Sequence, residues 1–255
     1  MALAEKELKD FLDEKYELYN RPSFIGPDPI SIPHKFNLKE DIEIAAFFSA
    51  TIAWGQRPTI VRNANRLMEL MDNEPYQFIM NSQKKDWKRF ANFVHRTFQY
   101  TDVVYFIQSL QNIYHYQGGL EGIFSGESKK DLKNGIIHFR KVFLEINPGG
   151  RTAKHIANIE KNASAKRINM FLRWMVRNDK RGVDFGIWKG ISPSLLYCPL
   201  DLHSGRVARK LGLLERKQND WKAVNELTIN LRTLDPKDPV KYDFALFGLG
   251  VFDKF

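Results

Sequence analysis

The chain has a single cysteine, Cys198, so no internal disulfide can form, and neither a four-cysteine iron–sulfur cluster nor a zinc knuckle can be assembled. One thiol and no possible bridge point to a reducing compartment, the cytoplasm. Long apolar runs are missing too. The most apolar stretch, Ile42 to Trp54, is interrupted by Glu43, Ser49 and Thr51; it is too short to span a bilayer and suits a buried helix. Met1 to Asn20 alternates charged and apolar residues at helical spacing, unlike a signal peptide or a membrane anchor, so no membrane partner is expected. His34, His95, His115, His138, His155 and His203 are dispersed, with no metal-ligand spacing to a carboxylate, so no metal site is expected. No G-x-G-x-x-G or GK[ST] element occurs, which excludes the usual phosphate loops, and no cofactor is expected. Alternating strands and internal repeats are absent, which makes the class all-α.

What is present is positive charge. The 255 residues carry 39 Lys and Arg against 30 Asp and Glu, a formal net of +9, which favours polyanionic partners. The basic residues gather in three places, Lys84 to Arg89, Lys161 to Arg181 and Arg206 to Lys217. They are either the lining of one phosphate-binding cleft or separate solvated faces.

Helical spacing predicts a first helix over residues 2–19, stopped by Pro22. The segment 22–33, with Pro22, Pro27, Pro29, Pro33 and Gly26, is an extended connection. A central helix, apolar nearly all round, follows through Trp54, with Asn37 or Asp41 as its cap. Further helices are predicted over 57–71, 75–81, 87–94, 102–116, 120–124, 132–144, 163–177, 201–211, 220–234 and 239–249. Pro148, Gly149 and Gly150 mark a lobe hinge near 147–151, within a single two-lobed helical domain spanning 1–255.

The sharpest local signal is the run from Pro199 to Leu213, in which Asp201 follows a proline turn and stands where a helix N-cap would. A helix start keeps such a carboxylate ionised, and an ionised carboxylate on a rigid element can stabilise a developing cation or orient an amine. Capping alone would equally explain it. Together with the segment FFSATIAWGQR, this run resembles the helix-hairpin-helix DNA glycosylases and suggests a bacterial family related to that superfamily. The resemblance implies a two-lobed helical fold, double-stranded DNA as partner, Asp201 as the catalytic carboxylate, and His203 and Arg206 on the first turns of the same helix as DNA contacts. Residues 182–193 depart from the superfamily pattern: they contain glycines but not its leucine-proline-glycine-valine-glycine hairpin. The hairpin is therefore expected to be degenerate or absent.

The closest motif layout is that of the archaeal oxidised-guanine glycosylases, which place a nucleophilic lysine at the head of an apolar helix. The run from Ser164 to Met175 is similar, and Lys166 lies 35 positions before Asp201. That resemblance makes Lys166 the candidate nucleophile, able to hold the sugar as a Schiff base once its amine is neutral. Adjacent Arg167 would help to discharge it, and Lys161, Lys180 and Lys189 are rivals. Trp54, Gln56 and Arg57 end the central helix where the resembling enzymes approach the extruded base, and aromatic stacking on that base could come from Trp54, Trp174 or Trp188. Packing is the alternative role for each tryptophan. His95 and Arg96, at a predicted helix junction, either contact phosphate or form a buried polar joint. The resulting expectation is a base-excision glycosylase/lyase acting on a damaged base, with an oxidised purine suggested by the placement of Lys166. A non-catalytic DNA-binding protein of the same fold and, further behind, a protein-interaction scaffold are the alternatives.

Overall fold

The computed structural model describes residues 4–127, 131–146 and 150–255. Along the chain lie α1 (Glu5–Tyr19), α2 (Lys39–Thr51), α3 (Arg57–Glu69), α4 (Pro75–Asn81), β1 (Val94–His95), β2 (Phe98–Gln99), α5 (Tyr100–Tyr116), α6 (Gly119–Glu127), α7 (Leu132–Phe143), α8 (Lys166–Val176), α9 (Leu202–Lys210), α10 (Trp221–Leu234) and α11 (Tyr242–Val251). The protein is all-α, its only strands among the described residues being the two-residue pair β1 and β2. No helix among these residues is long and apolar enough to cross a membrane.

The chain divides into two compact units, one continuous, Ile25–Ala157, and one assembled from Met1–Phe24 and Asn158–Phe255. It passes between them at Phe24 and again at Ala157. Of the hinge expected near 147–151, residues 147–149 lie outside the described residues.

The continuous unit is built on α2, whose residues from Ile42 to Thr51 are all buried. Its core is a set of phenylalanines: Phe106 stacks near Phe47 (5.4 Å between centroids) and meets Phe143 (4.7 Å) and Phe98 (5.0 Å) edge-on. The expected caps of α2 are not used. Leu38 is the N-cap and offers no side-chain acceptor, while Asp41 instead accepts from the backbone N–H of Tyr76 at 2.8 Å and so ties α2 to α4. The helix expected over 87–94 is replaced by a 3-10 turn, Asp86–Phe90, and the hairpin of β1 and β2. Arg96 turns the chain there with φ +55°, which no helix accommodates. His95 and Phe98 point inward while Val94 and Gln99 point out. The proline-rich connection after α1 is a series of 3-10 turns at Pro22–Phe24, Pro29–Ser31 and Pro33–Lys35.

In the discontinuous unit α11 is the central element, packed by α1 and by α9. Gly248 makes the first contact possible, since a Cβ there would stand 2.1 Å from the ring of Tyr19. Gly250 does the same for α9, where a Cβ would meet His203 Cβ at 3.0 Å. Residues 182–193 pack against the end of α8. Phe185 N–H donates to Trp174 O (2.8 Å) and Trp188 N–H to Met175 O (2.9 Å), satisfying carbonyls in the last turn of α8. Residues 178–200 contain no α-helix, only the 3-10 turn Pro193–Leu195.

Candidate functional site

Asp201 is the N-cap of α9, and its two carboxylate oxygens have different partners. Oδ1 accepts from the backbone N–H groups of His203 (2.8 Å) and Ser204 (2.9 Å) and from Ser204 Oγ (3.1 Å). Oδ2 faces Lys166 Nζ at 3.4 Å. Capping and chemistry are thus compatible roles, one for each oxygen. Burial raises the Asp201 pKa, but Lys166 and the hydrogen bonds from Ser204 and His203 outweigh it and hold the carboxyl below its usual range. The far end of the residue is fixed as well, because Asn219 Nδ2 donates to Asp201 O at 2.9 Å. That approach needs a glycine: a Cβ on Gly205 would stand 2.8 Å from Asn219 Oδ1. Past α9, Gly212 adopts φ +73° and Leu213 N–H reaches Ala208 O at 2.8 Å, a glycine-closed helix end.

Lys166 is the first residue of α8, and that helix starts unconventionally. Its N-cap, Ala165, has φ +51° and no side chain able to cap, and no acidic residue occupies the first turn. Two cations, Lys166 and Arg167, therefore stand where the backbone N–H groups already present positive charge. A left-handed, uncapped alanine is strained, and it immediately precedes the residue that carries the amine. Lys166 and Asp201 are partly open to solvent, their side chains 30% and 20% exposed. Half-buried Arg167 has its guanidinium drawn down to about 10 by desolvation. Among the rival lysines, Lys189 donates to Gly186 O at 2.5 Å, and Lys161 and Lys180 are exposed. His203 and Arg206 lie on the exposed side of α9, with Arg206 Nη2 donating to Gly250 O at 3.1 Å.

Three of the expected base and DNA contacts, Trp174, Trp188 and His95, are corrected. Trp174 is fully buried, and so nearly is Trp188, whose ring meets Phe171 edge-on at 5.3 Å. Neither offers a face on which a base could stack. His95 is 2% exposed, and both its ring nitrogens are engaged, Nδ1 with Asn63 Nδ2 (2.9 Å) and Nε2 with Trp54 O (3.2 Å). Of its two sequence readings, the buried polar joint is the one the geometry allows. Burial lowers its pKa, consistent with a neutral ring that donates from Nε2.

The remaining expected contacts of the continuous unit form one patch. Trp54 is half-buried between His95 (4.9 Å, edge-on) and His155 (5.9 Å, stacked). Gln56 and Arg96 are exposed and Arg57 half-exposed, and the Arg96 side chain lies over Gly55, where a Cβ would stand 3.2 Å from Nη1. The sequence separates these two segments by forty residues; the hairpin brings them together.

Sequence reasoning missed the buried charge network beside Lys166. Arg173 donates to Asp184 (3.2 Å) and Asp243 (2.5 Å), and Arg177 to Asp184 (2.7 Å), Asp179 (2.9 Å) and Asp238 (2.9 Å). These two arginines fall within the basic run 161–181, yet they are spent on carboxylates and have no charge to offer phosphate. A signal was available: Arg173 on the apolar face of α8 and Arg177, four residues on at its C-cap, keep helical spacing with the core residues, and buried charges require partners. Among the described residues, no group of three or more His, Cys, Asp or Glu side chains is placed to hold a metal ion. Comparison with curated proteins and with solved structures finds no match. A family model described as a protein of unknown function, DUF2400, matches residues 28–252, and the chain belongs to that family.

Proposed function

We propose that the protein is a DNA base-excision glycosylase/lyase that removes a damaged base, in the manner of the helix-hairpin-helix glycosylases its motifs resemble. The observation that carries this reading is the approach of Lys166 Nζ to Asp201 Oδ2 at 3.4 Å, two residues from different helix starts, both partly exposed. An amine nucleophile must give up a proton before it attacks, and Asp201 Oδ2 is placed to accept it. The Nζ lone pair then bonds to the sugar anomeric carbon while the bond to the base breaks, and the base leaves with the bonding electrons and takes up the proton. Asp201, ionised again, faces the positive charge that develops on the sugar. Opening of the sugar ring leaves an imine on Lys166, from which strand cleavage by elimination follows. His203 and Arg206, exposed on the same helix as Asp201, and Arg167 beside Lys166 supply contacts to phosphate. Oxidised purines are the substrate class suggested by the position of Lys166 at the head of its helix.

Borohydride trapping on duplex oligonucleotides carrying oxidised guanine or an abasic site tests the proposal, with Lys166→Gln and Asp201→Asn beside the parent. A covalent adduct that disappears in Lys166→Gln supports an amine nucleophile. A second reading, DNA binding without chemistry, is favoured by the lack of a helical hairpin over 178–200. Its signature is salt-sensitive duplex binding with no adduct on any lesion.

A further inference from the structure

Lys166 and Asp201 stand on segments 35 positions apart, and a third segment is bonded to the chain at or before each of them. It is the start of α10, residues 219–222, and like the pair it lies in the discontinuous unit. Asn219 Nδ2 donates to Asp201 O at 2.9 Å. That carbonyl already accepts from Gly205 N–H at 2.9 Å, the first bond of α9, so Asn219 is not needed to satisfy it. A second donor fixes its direction instead. The Asn219 amide is itself held: Oδ1 accepts from Arg209 Nη2 at 2.7 Å, and Arg209 donates in turn to Arg216 O from Nε (2.8 Å) and Nη2 (2.6 Å).

Asp220, the next residue, divides its carboxylate much as Asp201 does. Oδ1 caps α10 by accepting from Ala223 N–H at 3.1 Å, while Oδ2 accepts from Asn162 Nδ2 at 2.8 Å. Asn162 answers with two acceptors, its backbone O taking the N–H of Trp221 and its Oδ1 the N–H of Lys222, both at 3.2 Å. With φ +63°, Asn162 ends the 3-10 turn Ile159–Lys161 and stands four residues before Lys166. Little slack remains between the two, since Ala163 N–H donates to Asn158 O at 3.0 Å and Asn169 N–H to Ala165 O at 2.9 Å.

We propose that Asn219 and Asp220 are positioning residues, the two arms of a clamp that sets the distance between Lys166 Nζ and Asp201 Oδ2. Asn219 holds the carbonyl of Asp201, and Asp220 holds the turn that leads into α8. The proposal rests on the reading of Lys166 and Asp201 as the reacting pair. Two side chains on separate helix starts keep a separation of 3.4 Å only while the backbones beneath them are fixed. Misplacing a reacting group by about an ångström can cost about a hundredfold in rate.

A water-soluble carbodiimide tests the clamp on the full chain without DNA. It activates a carboxyl as an O-acylisourea, a neighbouring amine displaces it to form an amide, and the reagent leaves as a urea. Peptide mass spectrometry then compares the Lys166–Asp201 product with the Lys241–Asp235 product, from a pair in the same unit at 2.8 Å that is also partly open to solvent. Asn219→Ala should lower the ratio of the first product to the second about threefold or more. Asn162→Gly, which suits a positive φ and removes the arm to Asp220, should do the same, and it decides if Asn219→Ala does not fold. A ratio that stays at the parent's value in the variants, whether or not the melting temperature drops, overturns the proposal. So does a parent that forms the Lys241 product and not the Lys166 one. On a lesion duplex the same variants should slow single-turnover adduct formation while duplex affinity holds, a split that loss of folding does not produce. If the parent gives no adduct on any lesion, the glycosylase reading falls and the product ratio still judges the clamp; an adduct with an unchanged ratio removes the clamp alone.

Discussion

Around Phe106 the interior is hydrocarbon; around Arg173 and Arg177 it is charge. The continuous unit, 25–157, closes over Phe47, Phe98, Phe106, Phe139 and Phe143, all buried. Its buried Asp102 is satisfied locally, by Arg151 Nη1 at 2.5 Å, Thr152 Oγ1 at 2.8 Å and the backbone of Gln99 at 2.9 Å. In the discontinuous unit a chain of buried ion pairs runs from Asp243 through Arg173, Asp184 and Arg177 to Asp179 and Asp238. Buried pairs seldom stabilise a fold more than hydrocarbon of the same shape would, but losing one partner is costly because the other charge is left stranded. The unit holding Lys166 and Asp201 therefore has the more demanding interior, one that specifies the setting of α8 through directional bonds. The other gains its cohesion from contact area, which is indifferent to small rotations.

Substitutions can break this contrast or sharpen it. The largest effects come from each interior. Arg177→Met should cost about 3–5 kcal/mol, because Asp184 and Asp238 lose their common partner; Phe106→Ala should cost a similar ~3–5 kcal/mol through the cavity it leaves. Urea unfolding gives the totals, and amide exchange separates the causes: faster exchange over 166–251 for the first, over 42–51 and 100–143 for the second. Similar exchange patterns for both variants would erase the distinction. Next in size is Gly248→Ala, at about 1–3 kcal/mol, since the new methyl must displace the Tyr19 ring. Exchange in α1 should report it.

Smaller still is Asp201→Asn. Asparagine is a good N-cap, so at neutral pH stability should change by less than about 1 kcal/mol, while adduct formation is lost. The sign of its pH dependence follows from linkage. The folded carboxyl is held below its usual value of 3.8, so what it contributes is present above that value and disappears as pH falls through the lower, folded one. Parent and variant should converge in stability under acid; a gap that widens there would contradict the ion pair with Lys166. The smallest effect is that of Gln56→Ala on the exposed patch of the continuous unit, within about 0.5 kcal/mol by thermal melt, with any loss appearing in duplex affinity.

How much of this was readable beforehand depended on whether the determining contacts are local. The cap at Asp201 was readable because a proline turn, an acidic residue and a helical run adjoin one another, and α4 was readable over 75–81 from its helical spacing alone. The 87–94 segment was misread because its apolar residues repeat at a spacing that either a helix or a tight hairpin can use, and Arg96 carries no sequence mark of a left-handed turn. Trp174 was left between stacking and packing because its exposure depends on tertiary contacts that a local pattern does not show. Asp243 was missed for the same reason: alone at the start of an apolar helix it looks like a residue of the first turn, and only Arg173 shows its use.

The docking of Tyr19 on Gly248 carries a consequence for biosynthesis. Residues 25–157 have all emerged from the ribosome while α11 is still untranslated, so the phenylalanine core can close first, as domains generally do during synthesis. Helix α1, made before that unit, has to wait for α11, made after it, across a loop whose closure entropy grows only slowly with its length. Until then its apolar face, with Leu8, Leu12 and Tyr16, is uncovered. A chain cut short after residues 25–157 have folded but before Gly248 is made would carry one finished unit and one adhesive helix, the kind of species that chaperones hold and proteases remove.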